Sequence, residues 1–153
     1  LILIGFVAGG VARGIIVGML VLITSLFFTE IVIQNIFLTL LVIILTAILF
    51  SLAGLLNAVF ADSFDDINIV PTFILTPLIY LGGVFYSISL LSETWQFISK
   101  LNPVLYMVNA FRYGMLGVSD INVNFAILMI SFFIIIFYSI SLYILKKGIG
   151  IRD

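Results

Sequence analysis

No cysteine and no histidine occur anywhere in the 153 residues. The first absence removes any disulfide framework and any thiol nucleophile, and the second removes the imidazole bases and ligands on which much catalysis depends. Charge is nearly as scarce, with six Lys and Arg and seven Asp and Glu making up 8% of the chain. Soluble domains carry about 25%, and so few charges cannot cover the exterior of a water-soluble fold of this length. No G-x-x-x-x-G-K-[ST] loop is present, so nucleotide is not bound here through that motif. With no histidine to pair with a serine and no acid pair inside an apolar stretch, the patterns of a membrane-embedded hydrolase, a metal site and a proton relay are all missing. These absences weigh against an enzyme and leave no catalytic, cofactor-binding or metal-binding residue to nominate. The net charge of −1 says little about partners, because in a bilayer protein what counts is the side on which the cations lie.

What the chain has is apolar length, with 64% hydrophobic residues. A bilayer core needs about 20 apolar residues per helical crossing. Four stretches meet this, at about 1–28, 36–60, 67–86 and 125–145, so the expected fold class is an all-α membrane protein with four transmembrane helices. Between the first two, "TEIVIQN" makes a short polar turn carrying Glu30 and Gln34. The chain opens at Leu1 inside an apolar run, so it reads as the later part of a longer protein without a signal peptide. Lys146, Lys147 and Arg152 follow the last crossing, and the positive-inside rule puts that tail in the cytoplasm. "ADSFDD" then lies on the inner side and "TEIVIQN" on the outer, although Lys100 and Arg112 on the outer side weaken the bias.

Residues 87–124 are too many for a turn, yet each apolar piece among them is too short to cross. Leu91, Trp95, Ile98 and Leu101 recur at helical spacing with Glu93, Gln96, Ser99 and Lys100 between them, which predicts a short amphipathic helix capped by Ser92. Asn102 and Pro103 stop it, and Pro103 opens a second helix on which Tyr106, Asn109, Arg112 and Tyr113 share one face. Gly114, Gly117 and the Ser119–Asp120 pair close that helix. Two readings fit this segment: an interfacial loop decorated with belt aromatics, or a gate at the outer face.

Pro71 stands near the start of the third crossing, but Pro77 is interior and leaves the Phe73 carbonyl without its helical donor, so a kink is expected. Thr76, a neighbouring helix or water must then satisfy that carbonyl. Gly82 and Gly83 let the chain leave the crossing and bend over. In the first crossing, Gly10, Gly14 and Gly18 repeat every fourth residue and make a smooth face for helix packing, within this chain or against a second copy. Arg13 interrupts that stripe, either snorkelling to the cytoplasmic surface or facing a polar cavity or partner. Asp62, Asp65 and Asp66 gather at the inner mouth, as a solvated turn or as a contact for a cytosolic partner.

Three stretches, "GGVARG", "FSLAGLLNAVFADSFDDINIVPTFILTPLIYLGGVFYS" and "LNPVLYMVNAFRYGMLGVSD", resemble the membrane subunit of bacterial ABC-2 type exporters, close to its YadH-like branch. The family signature, a Gly-rich span end followed by Pro, an apolar residue, Tyr and then Arg, is matched by Gly82, Gly83, Pro103, Val104, Tyr106 and Arg112. The resemblance implies the last four spans of a six-span inner-membrane permease that works as a homodimer. It implies a pair of external re-entrant helices over about 87–117, forming a gate that carries those signature residues. It further implies two copies of a separate cytoplasmic ATPase subunit that binds the ATP, no cofactor on this chain, membrane lipids around it and no nucleic acid. The implied activity is export of an amphipathic, lipid- or glycan-type substrate, with Phe73, Tyr80, Phe85, Tyr86, Tyr106 and Phe111 as route-lining aromatics. The rival reading is a passive channel or assembly scaffold with no ATPase partner.

Overall fold

The computed structural model describes residues 2–30 and 32–148. Leu1 of the first expected crossing, Ile31 of the polar turn and Arg152 of the basic tail lie outside the described residues. The elements are all helical, with no strand among the described residues. Four helices are long and apolar enough to cross a membrane: α1 (Ile2–Leu26), α2 (Ile36–Phe60), a composite third crossing over Phe64–Leu81, and α7 (Val123–Lys147).

Asn35 starts α2 by accepting the Leu38 N–H at 3.0 Å, and Asn122 does the same for α7 with the Asn124 and Phe125 N–H groups. Both 25-residue helices then run uninterrupted because neither contains proline.

The third crossing is built from α3 (Phe64–Ile69), a π-helical stretch (Val70–Leu75) and α4 (Thr76–Leu81). It begins three residues before the expected 67 because Ser63 caps it: its Oγ accepts from the Asp66 N–H at 3.2 Å and donates to Asp66 Oδ2 at 2.8 Å. It ends five residues before the expected 86, where Gly82 leaves the helix and Gly83 takes φ 74°. Pro71 lies in the first turn of the widened stretch and Pro77 just beyond its end. The Thr76 N–H and hydroxyl both donate to the Pro71 carbonyl, so the hydroxyl does not serve Phe73 as expected.

A 3₁₀ turn (Ile88–Leu90) leads to α5 (Glu93–Lys100) and α6 (Pro103–Leu116). Ser92 occupies the N-cap position of α5 but makes no side-chain capping bond. The apolar residues of α5 face outward, with Trp95 and Phe97 50% and 66% exposed, while Ser99 is fully buried. A membrane turns that pattern round, since lipid solvates what water would not.

The core is formed where α2, α6 and α7 meet, from Val42 and Leu49, from Tyr106, Met107 and Ala110, and from Ala126 and Ile130. Between α1 and α2 the contact is close. A Cβ on Gly10 would lie 2.2 Å from Ser51 Oγ, and one on Gly14 would lie 3.2 Å from the Ala47 Cβ. Gly18, expected in the same stripe, faces open space.

Candidate functional site

The polar side chains of the bundle concentrate around α6. Asn102 and Pro103 supply a capping residue followed by a residue that needs no N–H donor, so the helix starts there. The Asn102 side chain accepts from the Val104 N–H at 2.9 Å, and its amide donates to the Leu78 carbonyl of α4 at 2.6 Å. Gly82 completes this junction, because a Cβ there would lie 2.8 Å from Val104 Cγ1 and 3.0 Å from the Leu78 carbonyl oxygen. The start of α6 is therefore fastened to the end of the third crossing.

The other end of α6 is fastened to the start of α2. Gly114 packs on Thr39, where a Cβ would meet Thr39 Oγ1 at 2.5 Å, and its carbonyl accepts from the Asn35 N–H at 2.9 Å. The Gln34 N–H donates to the Met115 carbonyl at 3.2 Å. Since Pro103 and Val104 share a cavity of about 320 Å³ with Leu49, Phe50 and Gly54, α6 lies along half the length of α2, from its middle to its first residue.

Between these ends, Asn109 and Arg112 converge on the loop before α7. Asn109 is fully buried, and its Oδ1 accepts from the Asp120 N–H at 2.8 Å and lies 3.2 Å from Ser119 Oγ. Its amide donates to the Leu105 carbonyl, so the side chain is satisfied without water. Arg112 pairs with Asp120 Oδ2 at 3.3 Å and donates to the Gly83 carbonyl. Ser87 Oγ donates to the other carboxylate oxygen of Asp120 at 2.7 Å. Both ion-pair side chains are 22% exposed, where a pair contributes about 1 kcal/mol or less on its own. Its consequence is geometric: the turn after the third crossing, α6 and the loop before α7 meet on one carboxylate and one guanidinium.

Of the signature residues, Gly83 and Arg112 are thus in direct contact, and Gly82 and Pro103 meet through Val104 and Asn102. Tyr106 turns elsewhere. It is buried, its hydroxyl donates to the Lys100 carbonyl at 2.6 Å, and its ring stands edge-on to Phe125. Tyr113 makes no side-chain hydrogen bond among the described residues and lines a polar depression with Gly117, Asp120 and Asn122.

Ser87, Asn102, Ser119 and Asp120 were not nominated from sequence. Asn102 carried a usable signal, the asparagine-before-proline cap. For Asp120 and Ser87 no periodicity leads to Arg112, because the connections run through loops.

Comparison with known proteins decides the family. Residues 1–116 match the family described as ABC-2 type transporter. The chain belongs to that family. It is 52% identical over 154 residues to the protein named "Inner membrane transport permease YadH" of Escherichia coli strain K12, covering 99% of this chain and 59% of that relative. It is 26% identical over 106 residues to "Nodulation protein J" of Rhizobium leguminosarum bv. viciae, covering 69% of this chain and 41% of that one. No solved structure matches. The chain spans about 59% of the length of the YadH permeases it matches. With four helices long and apolar enough to cross a membrane, this ABC-2 family member is a multi-pass membrane protein.

The remaining nominated residues lie away from α6. Arg13 is exposed and has no ion-pair partner among the described residues. It lies between Gly10, set against Ser51, and Gly14, set against Ala47, near the midpoint of both α1 and α2. There it lines a groove of about 1110 Å³ between α1, α2 and α6. Asp62 and Asp65 are exposed at the opposite end of α2 from Asn35, whereas the carboxylate of Asp66 is taken by Ser63.

Proposed function

We propose that the chain is the membrane-spanning part of an ATP-driven exporter, working as a homodimer in the inner membrane and moving an amphipathic, lipid- or glycan-type substrate outward. ATP is bound and hydrolysed on a separate cytoplasmic ATPase subunit, and Lys146 and Lys147 mark the cytoplasmic end. The observation that carries this reading is the position of α6, fastened to Leu78 at one end and to Asn35 at the other, alongside half of a helix that crosses the membrane.

In this reading α5 and α6 form a re-entrant pair that dips into the outer half of the bilayer and caps the pathway. The outward-facing Trp95 and Phe97 of α5 and Leu101 at its C-cap suit such a place, since their neighbours there are lipid. Closure of the ATPase pair changes the crossing geometry of the permease dimer, and the cap opens when the Arg112–Asp120–Ser87 tie between the third crossing and α7 is released. Exposed Asp62 and Asp65 are the acids left for a cytoplasmic contact.

The test is purification of the full-length permease with its partners. A second polypeptide with ATPase activity should accompany it, and flux into vesicles should require both chains and ATP. Flux with the permease alone would instead establish a passive channel. Single cysteines at Asp65 and Glu93 should react with a membrane-impermeant thiol reagent from opposite sides. Labelling of both from one side excludes the arrangement.

A further inference from the structure

We infer that Arg13 and the groove between α1, α2 and α6 bind an anionic amphiphile, with the anionic head group on the guanidinium and the apolar body along the groove walls. The inference rests on the permease reading and adds the charge of the cargo, which that reading leaves open.

The groove has a volume of about 1110 Å³, within reach of the roughly 300 to 1,000 Å³ typical of sites for small organic ligands. Its walls are mostly apolar, built from Val17 of α1, Ile43 and Phe50 of α2, and Met107 and Phe111 of α6. Two guanidinium groups break that surface. Arg112 is already compensated by Asp120, while Arg13 has no ion-pair partner among the described residues. The uncompensated charge therefore sits at Arg13.

Its depth decides what can compensate it. Snorkelling serves residues near helix ends, but Arg13 lies between Gly10 and Gly14, which pack on Ser51 and Ala47 of α2, more than about 13 Å from either end of that helix at the α-helical rise. A cation at that depth is stabilised by an anion that comes with its own apolar body, since a small hydrated anion would have to shed its water to reach it. Guanidinium groups bind carboxylate and phosphate through paired N–H donors, which adds geometry to charge. A head group moving between leaflets meets its largest barrier at mid-depth, and a cation facing an apolar groove at that level lowers the barrier for anionic cargo. The same charge disfavours cationic amphiphiles.

The full-length permease, purified in a neutral detergent without ATP or its ATPase, tests this. The probes are a fluorescent lysophosphatidic acid and the uncharged monoacylglycerol with the same chain. The wild type should prefer the phosphate-bearing probe by about tenfold or more, the scale of one charge-assisted contact. Arg13→Gln should remove that preference, and Arg13→Lys should keep part of it. If Arg13→Gln does not fold, Val17→Trp is read in its place. Val17 is an exposed groove residue, so the tryptophan narrows the groove while leaving Arg13 intact, and both probes should then bind less well.

A wild type without head-group preference overturns the inference. So does Arg13→Gln with preference intact, or Val17→Trp binding both probes normally. If neither probe binds and Arg13→Gln dissociates the dimer, the anion is a carboxylate of the second copy and the inference fails. Because no ATP or ATPase is present, failure of the exporter reading in the flux assay is a separate result.

Discussion

The side-chain amide of Asn102 donates to the carbonyl of Leu78 across 24 residues of sequence, while its oxygen caps the helix that follows it. One buried residue thus performs two jobs that alanine cannot. Asn102→Ala should cost about 2 kcal/mol, the sum of a lost cap and an unpaired buried carbonyl. Asn102→Asp keeps a capping acceptor but sets a carboxylate against the Leu78 carbonyl, so it should be no more stable than alanine. Thermal unfolding of the purified permease reads both, and wild-type stability in the aspartate variant would refute this account of the junction.

The Arg112–Asp120 pair is open to a double-mutant cycle. Arg112→Gln should be more harmful than Asp120→Asn, because it also frees the Gly83 carbonyl, whereas asparagine still accepts from Ser87. The two changes should couple by about 0.5 to 1 kcal/mol. Strict additivity would show that the pair is not formed in solution.

Glycines of one stripe should respond differently to alanine. Gly10→Ala drives a methyl into Ser51 and should destabilise the α1–α2 contact by about 1 to 3 kcal/mol. Gly18→Ala meets nothing within 4 Å and should be neutral, or stabilising by up to about 1 kcal/mol through helix propensity. Ser51→Ala should partly rescue Gly10→Ala by removing the nearest atom. Equal effects at positions 10 and 18, measured by unfolding in one detergent, would mean that the stripe packs as a unit against something else.

Ser99 is fully buried and its hydroxyl has no hydrogen-bond partner among the described residues. Ser99→Ala removes an unmet polar group at little change in volume, so it should leave stability unchanged or raise it by about 1 kcal/mol. A loss of that size instead would reveal a partner for the hydroxyl, such as a bound water.

Long apolar runs made the crossings legible, and α2 begins and ends where hydropathy places it. The third crossing was harder. Asp65 and Asp66 look like loop residues, yet their place after Ser63 makes them the first turn of a helix, so the charge that argues for a loop is what starts α3. The direction of α5 was not legible either. Spacing groups Trp95, Ile98 and Leu101, but only tertiary packing reveals that the inward side is the one carrying Ser99. At the α6 ties, Tyr106, Asn109 and Arg112 were grouped by helical spacing, which says nothing about partners. Tyr106 goes back to Lys100 while Asn109 and Arg112 go forward to residues 119 and 120, because each partner is set by how a loop folds.

The widened turn over Val70–Leu75 makes the third crossing a jointed lever. Each residue advances an α-helix by about 100°, so a turn that holds one residue more than its neighbours re-indexes everything beyond it. Two asparagines clamp the two arms: Asn57 donates to Ile67 on one side of the joint, and Asn102 to Leu78 on the other. Neither clamp fixes the phase of the other. Tightening the joint to plain α-helix would swing the Leu78 arm, and the start of α6 tied to it, about its own axis while the Ile67 arm stayed seated.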